Sequence, residues 1–384
     1  MNASDRLRSV ILGALLLPLG CGGNTSEDPT GSGGSAGSGG TTSSGGTGGT
    51  GGTGGKPAVT CTYGTKVEDC FTPEQAWNIA NNPPQGGDVV GNCPPAGLVQ
   101  NSCCNTAQAG WEESGQCCYA FCEGACCGRP FSVDGVVRLA PAVPREDWLA
   151  RFEPADERSG SIAEAWLRDA RMEHASIASF ARFTLELLAF GAPPELIADA
   201  QRAMADEIEH ARLCFGLAER FGGRKLGPGP LETGAIEPRS LEAAAVAAFR
   251  EGGVAETIAA LAARQALERA SDPAVRTALA RIADDEERHA ALAFRFLAFA
   301  LDAGGAGVRL ALEGALASLT VPVLDTADRA LDVSAEVFQG AGRLSPAELQ
   351  EAAHVAVREV IAPCARALLA GAAPRPEPVV HAPC

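Results

Sequence analysis

Positive charge is scarce in this chain. Against 47 Asp and Glu stand 31 Lys and Arg, and a formal net charge of -16 excludes a nucleic-acid surface, because a phosphate backbone would be repelled. The N-terminal apolar run, Val10 to Leu19, is too short to stay in a bilayer as a permanent spanning helix. Cysteine is plentiful, but no two cysteines stand in a Cys-x-x-Cys arrangement, which argues against a rubredoxin-like iron site. Tyrosine is almost missing: only Tyr63 and Tyr119 occur, both in the N-terminal third.

What is present divides the chain into five parts. Residues 1–21 read as an export signal, with Arg6 and Arg8 before the short apolar core. The run Leu17-Pro18-Leu19-Gly20-Cys21 resembles a bacterial lipobox, with Pro18 where Leu is usual. That resemblance implies a triacylated Cys21 as the mature N-terminus and an exported protein lipid-anchored to the cell envelope. Gly22 behind the cysteine points to the outer membrane. Residues 22–56 are almost entirely Gly, Ser and Thr and cannot bury a core, so they form a tether with a typical span of roughly 30 Å.

Residues 57–140 hold Cys61, Cys70, Cys93, Cys103, Cys104, Cys117, Cys118, Cys122, Cys126 and Cys127. Their even number, with frequent Pro and Gly and no long helical period, predicts a small disulfide-rich module. The pairing cannot be read from the sequence, and the module's role is a spacer or a binding surface.

From residue 160 to 302 the period becomes helical, and four helices are expected. Ser161-x-x-Glu164 reads as the capping box of the first, which runs to Gly191. Pro193-Pro194 opens the second, which ends at Gly222-Gly223. Ser240 caps the third, kinked at Gly252-Gly253, and Asp272-Pro273 opens the fourth, running to about Leu301. Short loops make each pair a hairpin, and residues 223–240 form the longer crossover. Residues 303–384 add C-terminal helices, about 306–319 and 346–370, the latter bent at Pro363, packed outside the bundle.

Two of the helices carry the same six-residue pattern, Asp206-Glu207-Ile208-Glu209-His210-Ala211 and Asp285-Glu286-Glu287-Arg288-His289-Ala290. Glu and His three apart share one helix face and can share one metal ion. Glu207 and His210 recur 79 residues on as Glu286 and His289, and Glu173 recurs 83 residues on as Glu256. Four carboxylates balance two divalent cations, and without cations four inward glutamates would raise one another's pKa at great cost. Glu256 lies 30 residues before Glu286, whereas Glu173 lies 34 before Glu207; Glu268 is too close to the turn to replace it. Glu186, Glu209 and Glu287 read as solvated, His174 as off the metal face, and Cys214 as inward and apolar.

With these motifs, residues 160–302 resemble the ferritin-like di-iron carboxylate superfamily, rubrerythrin-like proteins being nearest in spacing. The resemblance implies a mainly α fold: a ferritin-like four-helix bundle with extra C-terminal helices, preceded by the disulfide-rich module. It implies two iron ions, with manganese or a mixed pair as alternatives. Glu207 and Glu286 would bridge them, Glu173 and Glu256 would be terminal, and His210 and His289 would bind one metal each. No catalytic residue beyond these ligands is assigned. The expected function is an oxidoreductase that consumes O2 or peroxide, or oxidises iron or a small substrate. Lacking tyrosine in the bundle, it would not house a tyrosyl radical, and lacking a rubredoxin site it would need an external electron donor. The alternative is a metal-free cell-surface scaffold or binding protein.

Overall fold

The computed structural model of the chain describes residues 2–15, 65–73, 76, 93–94, 96, 99, 109–123, 129, 131–133, 136–236, 239–321 and 331–371. Cys21, the tether, Cys61, Cys103, Cys104, Cys126 and Cys127 lie outside the described residues. The fold is mainly helical, with two disulfides among the described residues of the N-terminal region.

Helix α1, Ala3–Leu15, occupies the expected export signal. It lies on the helical body, with Leu7 and Ile11 fully buried and Arg6 paired to Asp284 and Glu287 at 3.1 and 3.0 Å. The cysteine-rich stretch then forms β1, Thr65–Phe71, β2, Ala109–Glu113, and β3, Gln116–Glu123, an antiparallel sheet in the order β1-β3-β2. Ser114 and Gly115, both at positive φ, make the two-residue β2–β3 turn. Cys70–Cys118 joins directly opposed residues of β1 and β3, and Cys93–Cys117 ties the preceding segment to β3. Cys122 lies in β3. The Tyr119 hydroxyl donates to the Pro94 carbonyl at 2.8 Å, and burial, with the nearby Glu112 charge, pushes its pKa up to about 12. Two small ladders follow. Strands β4, Ser132–Val133, and β5, Val136–Val137, form one, and β6, Ala142–Pro144, pairs with β7, Leu226–Pro228, in the other. The expected 223–240 crossover thus contains a strand.

Helix α2 spans Gly160–Ala189 and α3 spans Pro194–Gly222, packed together as a hairpin. The cap of α2 is Ser159, whose hydroxyl accepts from the Ile162 amide at 3.2 Å, not the predicted Ser161. Asp332 decides this. Its carboxylate accepts from the Ser159 and Ser161 hydroxyls and from the Gly160 amide, drawing both serines to itself. Pro194 at the first position and Gly223 in the left-handed region bound α3 as expected.

Helix α4, Leu241–Ala248, is capped by Ser240 and continues through a π-helical stretch, Phe249–Glu256, into α5, Thr257–Arg269. The predicted kink at Gly252-Gly253 is this π-stretch. A Cβ on Gly252 would stand 2.5 Å from the Ala293 Cβ, so glycine lets the widened turn lie against the next helix. That helix, α6, spans Pro273–Ala317 and is capped by Asp272; it continues past Leu301, and its axis breaks at Gly305 (φ 54, ψ -130). By length and composition α6 could cross a membrane, yet it is the central core helix and carries Glu286 and His289. Helix α7, Ala335–Gly340, and α8, Pro346–Val355, follow, α8 with a complete Ser345–Glu348 capping box. A second π-stretch, Ala356–Ile361, leads into α9, Ala362–Gly371. The irregularity expected of Pro363 falls in this stretch, because proline denies its carbonyl partner an α-helical hydrogen bond.

Two apolar clusters fill the helical body. One holds Phe180, Phe183, Ile258, Phe294 and Phe296, joined by Val360 and Ile361 of the second π-stretch. The other holds Trp166, Phe215, Val275, Leu279 and Ile282. Each fully buried side chain of this size contributes about 1.5–3 kcal/mol. Between the clusters lie the ionisable residues of the repeated pattern.

Gly252→Ala is expected to cost about 1–3 kcal/mol through the clash with Ala293. Gly314→Ala, on an exposed helical turn with nothing within 4 Å, should instead stabilise by about 0.5–1 kcal/mol. Denaturant midpoints of the two variants check both signs.

Candidate metal centre

All six residues singled out by the repeat converge. Glu173 projects from α2, Glu207 and His210 from α3, Glu256 from the last position of the π-stretch, and Glu286 and His289 from α6. They form two groups, Glu173–Glu207–His210–Glu286 and Glu207–Glu256–Glu286–His289. In each, one ligand atom per residue lies within 4.8 Å of all the others, so each group can hold a metal ion. Glu207 and Glu286 belong to both. The local cause is simple: a spacing of three residues is nearly one turn, and α3 and α6 present equivalent turns to each other.

Five of the six are buried, with Glu207, His210, Glu256, Glu286 and His289 at 2 % exposure or less; Glu173 is half-buried. Many of their polar atoms have no hydrogen-bond partner. Glu207 Oε2, Glu286 Oε2, both Glu256 oxygens and the Nδ1 atoms of both histidines are buried and orphaned. Leaving one such atom unsatisfied costs about 1–3 kcal/mol, more when charged. His210 Nδ1 is 3.8 Å from Glu173, 3.8 Å from Glu207 and 3.5 Å from Glu286. His289 Nδ1 is 3.1 Å from Glu207 and 3.7 Å from Glu286, without the alignment of a hydrogen bond. Ring nitrogens and carboxylate oxygens therefore face common points without aligned hydrogen bonds between them. That is the donor set a divalent cation satisfies, and the residues fit the metal.

The outer side of each histidine is held by an aspartate that the sequence reading left without a role. His210 Nε2 lies 3.0 Å from Asp285 Oδ2, and His289 Nε2 lies 3.4 Å from Asp206 Oδ2. The pairs cross, each aspartate steadying the histidine of the other helix. With Nε2–H donating outward, Nδ1 keeps its lone pair for the centre. Arg288 ties both aspartates together, 3.1 Å from Asp206 and in contact with Asp285. The signal was present in the doublets Asp206-Glu207 and Asp285-Glu286, which repeat along with the Glu and His.

Charge accumulates here. Burial, then the charge of Glu207, holds the Glu173 carboxyl well above the usual carboxylate range; burial, then Glu286, does the same for Glu256. Burial also acts on Glu207 and Glu286, but the facing His210 and His289, and for Glu286 first the Glu256 carboxyl, outweigh it and leave Glu207 low and Glu286 well below the usual carboxylate range. For both histidines burial favours the neutral ring, while the surrounding carboxylates prevail and hold the pKa well above its ordinary value.

Five neighbours complete the picture. Glu186 and Glu287 are not solvated: Glu186 is buried against Arg239 at 2.6 Å, and Glu287 against Arg264 at 2.9 Å. Glu209 is partly exposed beside Arg212. His174 packs edge-on against Trp148, away from the six. Cys214 is a buried free thiol in the second apolar cluster, its pKa pushed well up by burial and the Glu173 charge, so it stays protonated and apolar.

Comparison with protein-family models, with curated proteins and with solved structures finds no match for this chain.

Two outcomes follow from this geometry. Glu173, Glu256 and both histidines bind protons more tightly folded than unfolded, so the metal-free protein should lose stability as pH rises beyond the ordinary Glu and His values, about 4.3 and 6.5. Glu207 and Glu286, shifted the other way, lose their contribution as pH falls below the ordinary carboxylate value. Thermal melts between pH 4 and 9 should show the alkaline loss without metal and its suppression by added ferrous or manganous ion. Asp206→Asn or Asp285→Asn should weaken metal binding by about 10–100-fold, read by competition with a chelator.

Proposed function

We propose that residues 160–302 form a ferritin-like bundle binding two metal ions, most simply iron, and that the protein is an envelope-anchored oxidoreductase. The observation that carries this reading is the pair of Glu/His groups sharing Glu207 and Glu286, with their facing atoms orphaned in an apolar core. Four carboxylates and two neutral imidazoles balance two divalent cations, and manganese or a mixed pair would satisfy the same donors. A bound iron pair would supply the one-electron steps needed to reduce O2 or peroxide, or to oxidise iron or a small substrate.

The chain's own residues do the rest. Glu207 and Glu286, shared by the two groups, would hold both cations, Glu173 and Glu256 would each serve one, and His210 and His289 would each give one nitrogen. Asp206 and Asp285 keep the imidazoles oriented and take part of any positive charge that builds on them. Phe180, edge-on to His289 at 5.1 Å, helps to exclude water on the Glu256 side. The half-buried Glu173 marks the more open side, where a small oxidant enters. An external donor supplies electrons.

For location, residues 1–21 act as a lipoprotein signal and Cys21 as the anchor, the disulfides Cys70–Cys118 and Cys93–Cys117 being consistent with an oxidising compartment. Processing at Cys21 would take α1 from the face that Leu7 and Ile11 occupy. A radiolabelled fatty acid that fails to attach through Cys21 removes the anchoring reading.

The full chain loaded anaerobically with ferrous ion should hold two ions and consume O2 on exposure to air, with a new near-ultraviolet absorption band. Because Glu207 and Glu286 serve both groups, Glu207→Ala or Glu286→Ala should lose both ions, while Glu173→Ala or Glu256→Ala should weaken one. A wild-type protein that binds no metal, or metal binding unchanged in the Glu207→Ala, Glu286→Ala double variant, would leave only the scaffold reading.

A further inference from the structure

A second buried ionic cluster lies one aromatic ring from the Glu/His groups. Arg129 is 1 % exposed, and its guanidinium rests over Phe180 and Phe183 at 4.6 and 4.5 Å. Its Nε donates to the Ser179 hydroxyl at 3.2 Å, but Nη1 has no hydrogen-bond partner among the described residues. Arg182, 8 % exposed, donates from Nη1 to the Ser132 carbonyl, and its Nε and Nη2 are likewise unpartnered among the described residues. Arg239 is satisfied by Glu186, which accepts from Nε at 2.6 Å and from Nη2 at 3.2 Å.

Glu251 is the remaining member, and it does not satisfy the others. It stands 3.8 Å from Arg129, 3.6 Å from Arg182 and 3.6 Å from Arg239, all beyond hydrogen-bond length, and its Oε2 is itself unpartnered. Among the described residues, with Arg239 and Glu186 neutralising each other, Arg129, Arg182 and Glu251 leave one positive charge uncompensated. A buried cation without a counter-charge is costly, as are three unmade hydrogen bonds. The free Nε–Nη2 edge of Arg182 is the planar fork that receives two oxygens of one oxyanion. Gly252 keeps the adjoining wall low, since a Cβ there would lie 3.3 Å from Arg129 Nη1. Partly exposed Glu251 and Arg239 give the cluster its way to solvent.

We infer that Arg182 and Arg129 form a binding site for one small monovalent oxyanion of the carboxylate type, held two-pronged by Arg182 and capped by Arg129. One such anion restores neutrality and fills the free donors. Chloride offers no second oxygen, and a divalent phosphate overshoots the charge. Glu251 shares the arginines with the guest and so opposes it. The inference is independent of metal in the neighbouring centre.

The test uses the metal-free full chain, with formate or acetate as probe against chloride at equal ionic strength, and melting temperature as the readout. Formate should raise the melting temperature saturably, beyond chloride. Arg182→Lys, which keeps the charge but loses the fork, should weaken binding on the order of tenfold. Glu251→Gln should tighten it several-fold, and this variant decides the matter should Arg182→Lys not fold. Equal effects of formate and chloride, or formate affinity unchanged in Glu251→Gln, overturn the site and leave water on those donors. Neither result bears on metal stoichiometry, so the two readings fail separately.

Discussion

Four glutamate carboxylates facing one another between two apolar clusters set the terms for the rest of this molecule. Separating charges from water without partners is among the most expensive things a fold can do. Here the cost is concentrated between the two hydrophobic clusters, whose buried side chains pack around that layer. The helices are consequently held hard. The α2–α3 hairpin is fixed at its ends by Ser159 with Asp332 and by Gly223, and α6 begins on the Asp272 cap. Protons can neutralise part of the charge, as the raised Glu173 and Glu256 carboxyls and both raised histidines show, but they leave the inward-facing oxygens and ring nitrogens without aligned hydrogen bonds.

Around this layer the support is reciprocal. Asp206 of α3 holds the histidine of α6, Asp285 of α6 holds the histidine of α3, and Arg288 joins the two aspartates. Each of α3 and α6 is therefore oriented by its counterpart. A slip of one residue in either would move its Glu, its His and its aspartate together, since all three lie within about one turn. The repeated pattern is a repeat of this mutual bracing as much as of the Glu/His pairs.

The π-stretch Phe249–Glu256 links the centre to its surroundings. Glu256 ends it and belongs to one of the two Glu/His groups that could hold a metal ion, while Glu251, within it, stands among the arginines of the second cluster. Arg129, from beyond the cysteine-rich sheet, reaches in over Phe180, whose ring meets His289 edge-on. The N-terminal region thus contributes a buried side chain to the helical body as well as a disulfide-bonded sheet. Neither reading of that region as a spacer or a binding surface anticipates this contact.

Glu-x-x-His, the duplication, the caps at Ser240 and Asp272 and the proline start of α3 were all legible from the chain alone. Each depends on residues within a turn of one another, and helical geometry carries such information locally. The same locality explains what was missed. Ser159 replaces Ser161 as a cap because Asp332, remote in sequence, lies against it; Glu186 and Glu287 are buried because Arg239 and Arg264 reach them from other helices. The shorter spacing of Glu256 could be judged only once the π-stretch showed which way its side chain points. Local spacing along the chain fixes which residue types could meet and on which helix faces they lie. That they do meet is a result of long-range packing, because convergence depends on how separate helices are rotated about their axes, and contacts remote in sequence set that rotation.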